Sequence, residues 1–237
     1  MSNIRLYFSD NIVENTTSLL SKEHSHYVVN VMRMKRGSNI NFFNKKGEWL
    51  SEIIFLERDR VEVKFLNKIK ESSKLSNIEL AICLVKKSPM EIILQKATEL
   101  GVSRIIPIIS ERTEIKELNY ERAKKIVIEA TEQSDQLNPP EISKIIHLKD
   151  FLEKIDNKSK FLFADVNTQN SLLKKDIEDN STKVVLIGPE GDFSPSERES
   201  ILALGNTTSF SLSKNILRSD TAVISAISLV NLLSNSH

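Results

Sequence analysis

The fold this sequence predicts is an α/β domain with a small β-barrel in front of it, and three observations predict it. Residues after about 75 alternate short apolar runs with longer segments of helical period, residues before about 70 hold mostly short strands, and a polar stretch, Lys68-Ile69-Lys70-Glu71-Ser72-Ser73-Lys74, divides the two. The boundary falls near residue 72, giving a barrel over 1–72 and a layered domain with a mostly parallel sheet over 73–237. A chain of 237 residues is long enough to bury two such cores without staples.

The N-terminal strands are Arg5-Leu6-Tyr7-Phe8, Asn39 to Phe43, Trp49 to Phe55 and Arg60 to Phe65. In the last of these Val61, Val63 and Phe65 alternate with polar residues, the period of a half-buried strand. One helix interrupts them near Ser21 to Met32, and turns fall at Gly37, Asn44 to Gly47 and Glu57 to Asp59. Beyond the polar stretch the order is strand Ile78–Val85, helix Pro89–Leu100, strand Arg104–Ile109, helix Tyr120–Ser134 and strand Phe161–Ala164. Strand Lys183–Ile187, helix Pro195–Leu204, strand Thr207–Ser211 and helix Ser219–Leu233 complete it. Two helix starts read as capping boxes with proline at the first position, Ser88-Pro89-Met90-Glu91 and Ser194-Pro195-Ser196-Glu197. Gly101 reads as the residue that closes the helix ending at Leu100.

Composition excludes several classes. The formal charge is +1, so no bulk field announces a polyanionic partner, although residues 1–75 carry 13 basic against 9 acidic side chains and the rest 20 against 23. The single Cys83 lies in an apolar strand and reads as a small buried hydrophobe; one cysteine excludes internal disulfides and cysteine-rich zinc sites. Four scattered histidines have no metal-ligand spacing, so no metal is expected. With no signal pattern and no apolar run of about 18 residues, the expectation is a cytoplasmic protein with no membrane partner.

Chemistry concentrates in two loops. Gly188-Pro189-Glu190-Gly191 ends an apolar strand, where open α/β sheets place their ligands, and it holds two of only six glycines. It lacks the lysine and hydroxyl of a phosphate loop and the spaced glycines of a dinucleotide fold. It offers close backbone approach and one carboxylate, which suits a neutral or cationic ligand; spacing alone favours the plainer reading, an ordinary strand-to-helix turn with Glu190 in solvent. The second loop, Leu212-Ser213-Lys214-Asn215-Ile216-Leu217-Arg218-Ser219-Asp220-Thr221-Ala222, leads into the last helix, with Arg218 at the end of the helix dipole that disfavours a cation. Its plainer reading is a helix capped by Asp220 with Arg218 solvated. In the N-terminal part Arg33, Lys35 and Arg36 can meet phosphates, and Tyr27 or Trp49 can stack a base, although basic residues at a helix end are also ordinary dipole partners. Arg5 of the first strand completes the candidate RNA-binding set.

In this order, LIGPEGDFSPSE and LSKNILRSDTA, preceded by QKATELGVSRIIPIISER and EATEQS, closely resemble the RsmE family of 16S ribosomal RNA uracil N3-methyltransferases, of the SPOUT (α/β-knot) superfamily. RLYF and HYVVNVMRMKRG are similar to that family's N-terminal PUA-like barrel, so the resemblance spans nearly the whole chain. It implies a trefoil-knotted C-terminal domain, a homodimer, S-adenosylmethionine as cofactor and 16S rRNA in the small ribosomal subunit as partner. Carried over by position, the cofactor set is Leu186, Gly188, Glu190, Gly191, Leu212, Ile216, Leu217 and Ala222, with Glu190 and Arg218 catalytic. Glu132 and Gln133 match the family's Glu-Gln pair, which the resemblance implies faces the partner subunit's site.

This chain departs from the family pattern in five places. Asp192 and Ser213 stand where glycines are usual, Asp135 follows Glu-Gln-Ser where an arginine is usual, Asn215 replaces a second arginine and Asp220 a glutamate. Two other readings stay open at this point: a noncatalytic RNA-binding assembly factor with a degraded cofactor pocket, and a methyltransferase of the same fold acting on another target such as the ribose 2′-oxygen.

Overall fold

A computed structural model describes residues 4–57, 60–72 and 75–235. The turn expected at Glu57 to Asp59, beyond Glu57, and the last two residues of the polar stretch lie outside the described residues. The chain divides into two compact units, 1–74 with 131–138, and 75–130 with 139–237.

The first unit holds β1 (Arg5–Tyr7), β2 (Thr17–Leu19), α1 (Lys22–His26), β3 (Asn39–Asn44), β4 (Gly47–Glu57) and β5 (Arg60–Glu71), in one sheet of order β1-β3-β4-β5-β2. Period-two alternation sends Ile40, Phe42, Ile53, Val61, Val63 and Phe65 into a single core. There Phe8, Phe42 and Phe65 meet edge to face, with centroids 5.6, 5.5 and 5.9 Å apart. Register shifts between β4 and β5 bend this long pair around the core. Among the described residues no ladder joins β1 to β2, so the barrel is open at that seam. The expected helix is α1, capped by the Ser21 hydroxyl, and it runs into a π-helical turn over Tyr27–Val31. The polar stretch read as a linker is strand as far as Glu71: Asn67, Ile69 and Glu71 face outward, while Lys68 and Lys70 are half-buried and Lys68 Nζ lies 5.4 Å from the centre of the Trp49 ring.

The second unit is a layered α/β domain. Its elements are β6 (Ile78–Cys83), α2 (Lys87–Glu99), β7 (Arg104–Ile109), α3 (Tyr120–Gln133, whose last three residues belong to the first unit), β8 (Glu141–Ile142), β9 (Ile146–His147), α4 (Leu148–Lys154), β10 (Lys160–Ala164), β11 (Lys183–Ile187), α5 (Pro195–Leu202), β12 (Thr207–Phe210) and α6 (Ser219–Asn235). The sheet is parallel, in the order β12-β10-β11-β6-β7-β8, with β9 also on β7. Both faces are covered, so the central strands β6, β7, β10 and β11 are mostly apolar and parity decides the side. Leu80, Ile82, Val185 and Ile187 face a core shared with α2, α3 and α6; Ala81, Cys83, Val184 and Leu186 face one shared with α4 and α5. From edge strand β12 the chain returns to pack α6 on β11 and α2, the course that a knotted topology requires.

The two helix starts differ. At Ser194 the capping box forms, with its hydroxyl accepting from Glu197 N and the Glu197 carboxylate accepting from Ser194 N. At Ser88 it does not: α2 starts two residues earlier than Pro89, at Lys87, and Glu91 pairs instead with Arg122 at 3.2 Å. Gly101 is a left-handed helix stop, φ +83°, with its own N–H on Thr98 O and the next on Ala97 O.

Candidate active site

Parallel strands in register end at one edge. The pairs Ile187 with Ile82, Phe163 with Leu186 and Ala164 with Phe210 align the C-terminal ends of β6, β10, β11 and β12. The loops over 188–194 and 211–218 therefore leave the sheet together, on either side of the loop over 165–170 that follows β10. That third loop was missed by sequence reasoning, since only the strand order places it between the other two.

The 188–194 turn satisfies some of its peptide groups internally and leaves others open. Asp192 N donates to Pro189 O at 3.0 Å, Phe193 N to the Asp192 carboxylate at 2.8 Å and Ser194 N to Glu197 at 3.0 Å. Among the described residues, the peptide groups of Gly188 and Glu190 and the N–H of Gly191 have no protein partner. A Cβ at Gly188 would lie 3.0 Å from the buried Phe193 ring, so a side chain there would crowd that ring. Asp192, in the usual glycine's place, holds φ +58°; aspartate tolerates that region better than most residues, and its carboxylate ties the turn to Asn167 Nδ2 of the β10 loop at 3.0 Å.

The second loop repeats the pattern. Ser211 N is tied to Asn170 O at 2.8 Å and Asn215 N to the Ser213 hydroxyl at 3.0 Å, while the backbone of Leu212, Ile216 and Leu217 has no partner among the described residues. Ser213 thus makes a local turn that glycine would not. Ile216 is 93% exposed, an unusual state for an isoleucine. Leu212 and Ala222 pack on the same cluster as Ile187. Leu186 differs from the rest of the cofactor set: its side chain is wholly buried against the α4 and α5 face, leaving none of it for a ligand. Glu190 and Arg218 are exposed and have no side-chain partner among the described residues. Beside this edge Cys83 is buried, its thiol pushed up to about 12 by burial.

Sequence reasoning about the first unit is corrected at two residues. Trp49 is core, 5% exposed, and offers no face to a base. Arg5 is spent internally: its guanidinium pairs with the buried Glu48 at 3.0 Å, donates to Glu132 O and Gln136 O at 2.9 Å and meets Asp135 at 3.2 Å. It is engaged on all sides and is a structural hub, not a surface cation. Arg33, Lys35 and Arg36 are exposed at the end of the π-helical turn, beside Val31 and Met32, which are 56% and 40% exposed. The Glu132 carboxylate accepts from Tyr7 N at 2.8 Å, and Asp135, in the customary arginine's place, takes Lys70 at 3.0 Å.

A cavity of about 800 Å³ lies elsewhere, between the end of β7, α4 and α5, lined by Ile109, Lys116, His147, Leu152 and Ser200 among others. None of the cofactor set lines it, and the geometry of the sheet edge outweighs its size. Among the described residues there is no metal-ligating cluster and no helix long and apolar enough to cross a membrane.

Comparison with known proteins agrees with this arrangement. A family model described as an RNA methyltransferase domain matches residues 70–231, and one described as an RNA methyltransferase PUA domain matches residues 20–66. The ribosomal RNA small subunit methyltransferase E of Rickettsia conorii is 36% identical over 97% of this chain and 95% of its own length. The crystal structure of a ribosomal RNA small subunit methyltransferase E from Neisseria gonorrhoeae bound to S-adenosyl methionine has a TM-score of 0.90 at 30% identity, covering 98% of each chain. That of a putative methyltransferase from Legionella pneumophila, with the same cofactor bound, has a TM-score of 0.87 at 28% identity over 99% of each. Similarity that runs end to end, with both units matched and the loops intact at the sheet edge, shows that this chain belongs to the ribosomal RNA small subunit methyltransferase E family.

Proposed function

We propose that this protein transfers a methyl group from S-adenosylmethionine to N3 of a uridine in 16S ribosomal RNA of the small subunit, acting in the cytoplasm as a homodimer. In this reading residues 1–72 bind RNA and residues 73–237 carry the transfer. The observation that carries it is the set of open peptide groups on Gly188, Glu190, Gly191, Leu212, Ile216 and Leu217, gathered at one sheet edge.

The residues present fit that cofactor. A neutral purine edge needs N–H and C=O partners and apolar cover, which the open peptide groups and Leu212, Ile216, Leu217 and Ala222 supply. No lysine loop for phosphate is present, and none is needed. When bound, the cofactor supplies a methyl carbon on a positively charged sulfur. In the transfer the sulfur–carbon bond breaks as the N3–carbon bond forms, and the N3 proton must leave.

Glu190, solvent-facing and unpartnered, is the carboxylate available at this edge to orient the uracil or take that proton. Arg218, equally free, is suited to the negative charge that gathers on the uracil oxygens as N3 loses its proton. Arg33, Lys35 and Arg36 supply phosphate contacts in the first unit, with the exposed Val31 and Met32 beside them.

The deciding test incubates the protein with methyl-labelled S-adenosylmethionine and small subunits lacking uracil N3 methylation, then identifies the labelled nucleoside. Labelled 3-methyluridine is the expected product. A 2′-O-methylated nucleoside would move the target to ribose, and absence of both label and cofactor binding would favour a noncatalytic assembly factor.

A further inference from the structure

The turn that presents Gly188, Glu190 and Gly191 is not held in shape by its own bonds alone. Two of its carbonyls are taken by one side chain from a distant part of the chain: Arg112 Nη1 donates to Gly191 O at 3.0 Å and to Phe193 O at 3.3 Å. The stem of the same side chain lies along the turn, for a Cβ at Gly191 would sit 3.6 Å from Arg112 Cβ and 3.8 Å from its Cδ, ordinary van der Waals contact.

Arg112 itself stands on a closed turn after β7. Ser110 N donates to Thr113 Oγ1 at 2.9 Å, the two buried hydroxyls share a bond of 2.8 Å, and Thr113 N returns to Ser110 O at 3.2 Å. The adjacent Glu111 gives its N–H to Glu197 Oε1 at 2.8 Å, while Glu197 Oε2 accepts from Ser194 N at 3.0 Å. Successive residues, 111 and 112, therefore grip the start of α5 and the turn that leads into it.

We infer that Arg112 is a positioning residue for the cofactor turn. It binds the two carbonyls flanking Asp192 and fixes the peptides that carry the open groups of Gly188, Glu190 and Gly191, so that they are set before a ligand arrives. On the far side the Asp192 to Asn167 bond does the same work, so the turn is held from two directions. The Nη1 amino group is consequently committed to backbone. This inference rests on the reading of the turn as the cofactor site.

The test compares the full-length protein with R112A and R112K by titration calorimetry with S-adenosylmethionine and by amide hydrogen exchange over residues 188–194 without cofactor. R112A is expected to bind about tenfold more weakly, the value of one hydrogen bond from a charged donor, and to exchange faster at the turn while melting within a few degrees of wild type. R112K should recover part of both effects, since an ammonium still reaches one carbonyl; it also serves as the readout if R112A does not fold. Wild-type exchange and affinity in R112A, or in R112K where R112A is unfolded, would overturn the assignment. If the wild-type chain binds no S-adenosylmethionine, the functional reading fails by itself, and the exchange data still decide whether Arg112 orders the turn.

Discussion

Glu190 and Arg218 occupy the sheet edge as exposed side chains with nothing else to hold them, which separates them from the other charged residues nearby. Arg198, partly exposed, donates from Nη2 and Nε to Oδ2 of the buried Asp165 at 2.8 and 3.1 Å, and Glu197 is consumed by two N–H groups. In the proposed reading both side chains act on the uracil and the peptide groups hold the cofactor, so Glu190→Gln and Arg218→Ala should each lower kcat by about 100-fold, with the dissociation constant for S-adenosylmethionine within about twofold. Steady-state kinetics with calorimetry reads the two quantities separately. Cys83 gives the opposite kind of expectation. With its thiol held up at about 12, the thiolate is about one part in 10⁴ at pH 8, so iodoacetamide should leave the folded protein unlabelled and add one equivalent once urea unfolds it. Labelling of the folded chain at the rate of a free thiol would contradict the burial.

At the scale of elements, the two serine-proline helix starts test what a cap is worth. Ser194→Ala removes a bond to Glu197 N and should cost about 1 kcal/mol, seen as a melting temperature lower by a few degrees, whereas Ser88→Ala, which removes no cap, should stay within about 0.5 kcal/mol. The failure at Ser88 is instructive. The motif was legible, but the helix starts at Lys87, so Ser88 lies inside its first turn where it cannot cap, and Glu91 is left to pair with Arg122 across 31 residues. Strands such as β7 and β11 were legible to the residue because a fully apolar run in a parallel sheet has sharp polar ends. The two-residue β8 and β9 and the three-residue β2 carry no period to read, and α4 is only two turns long. The glycine-flanked 188–191 loop and the 212–222 stretch before the last helix were readable as site candidates. The β10 loop and the Ser110–Thr113 turn were not, since strand order alone brings them to the site.

At the scale of the molecule, the chain ties distant stretches together through Arg5. Its side chain is 11% exposed and its partner Glu48 4% exposed, with Asn41 Nδ2 on the same carboxylate at 2.7 Å. The carbonyls it holds, at 132 and 136, lie more than 120 residues further along the chain. Arg5→Ala leaves that carboxylate buried with less compensation and frees residues 131–138, so urea unfolding should show a loss of about 3 kcal/mol. A loss under about 1 kcal/mol would return Arg5 to the list of surface cations. The sequence alone offered no reason to separate Arg5 from Arg33, Lys35 and Arg36, because burial of a cation depends on carbonyls supplied from far along the chain.

The split of the open peptide groups between residues 188–191 and 212–217 has a further consequence. Strand β12 joins the sheet at its outer edge, on β10, and only then is the second loop set beside the first. A molecule that needs both loops can recognise only chains in which this edge strand has docked and α6 has come back across β11. By mass action such a ligand draws part-folded copies toward completion, so cofactor supply would act on the yield of finished enzyme as well as on its turnover.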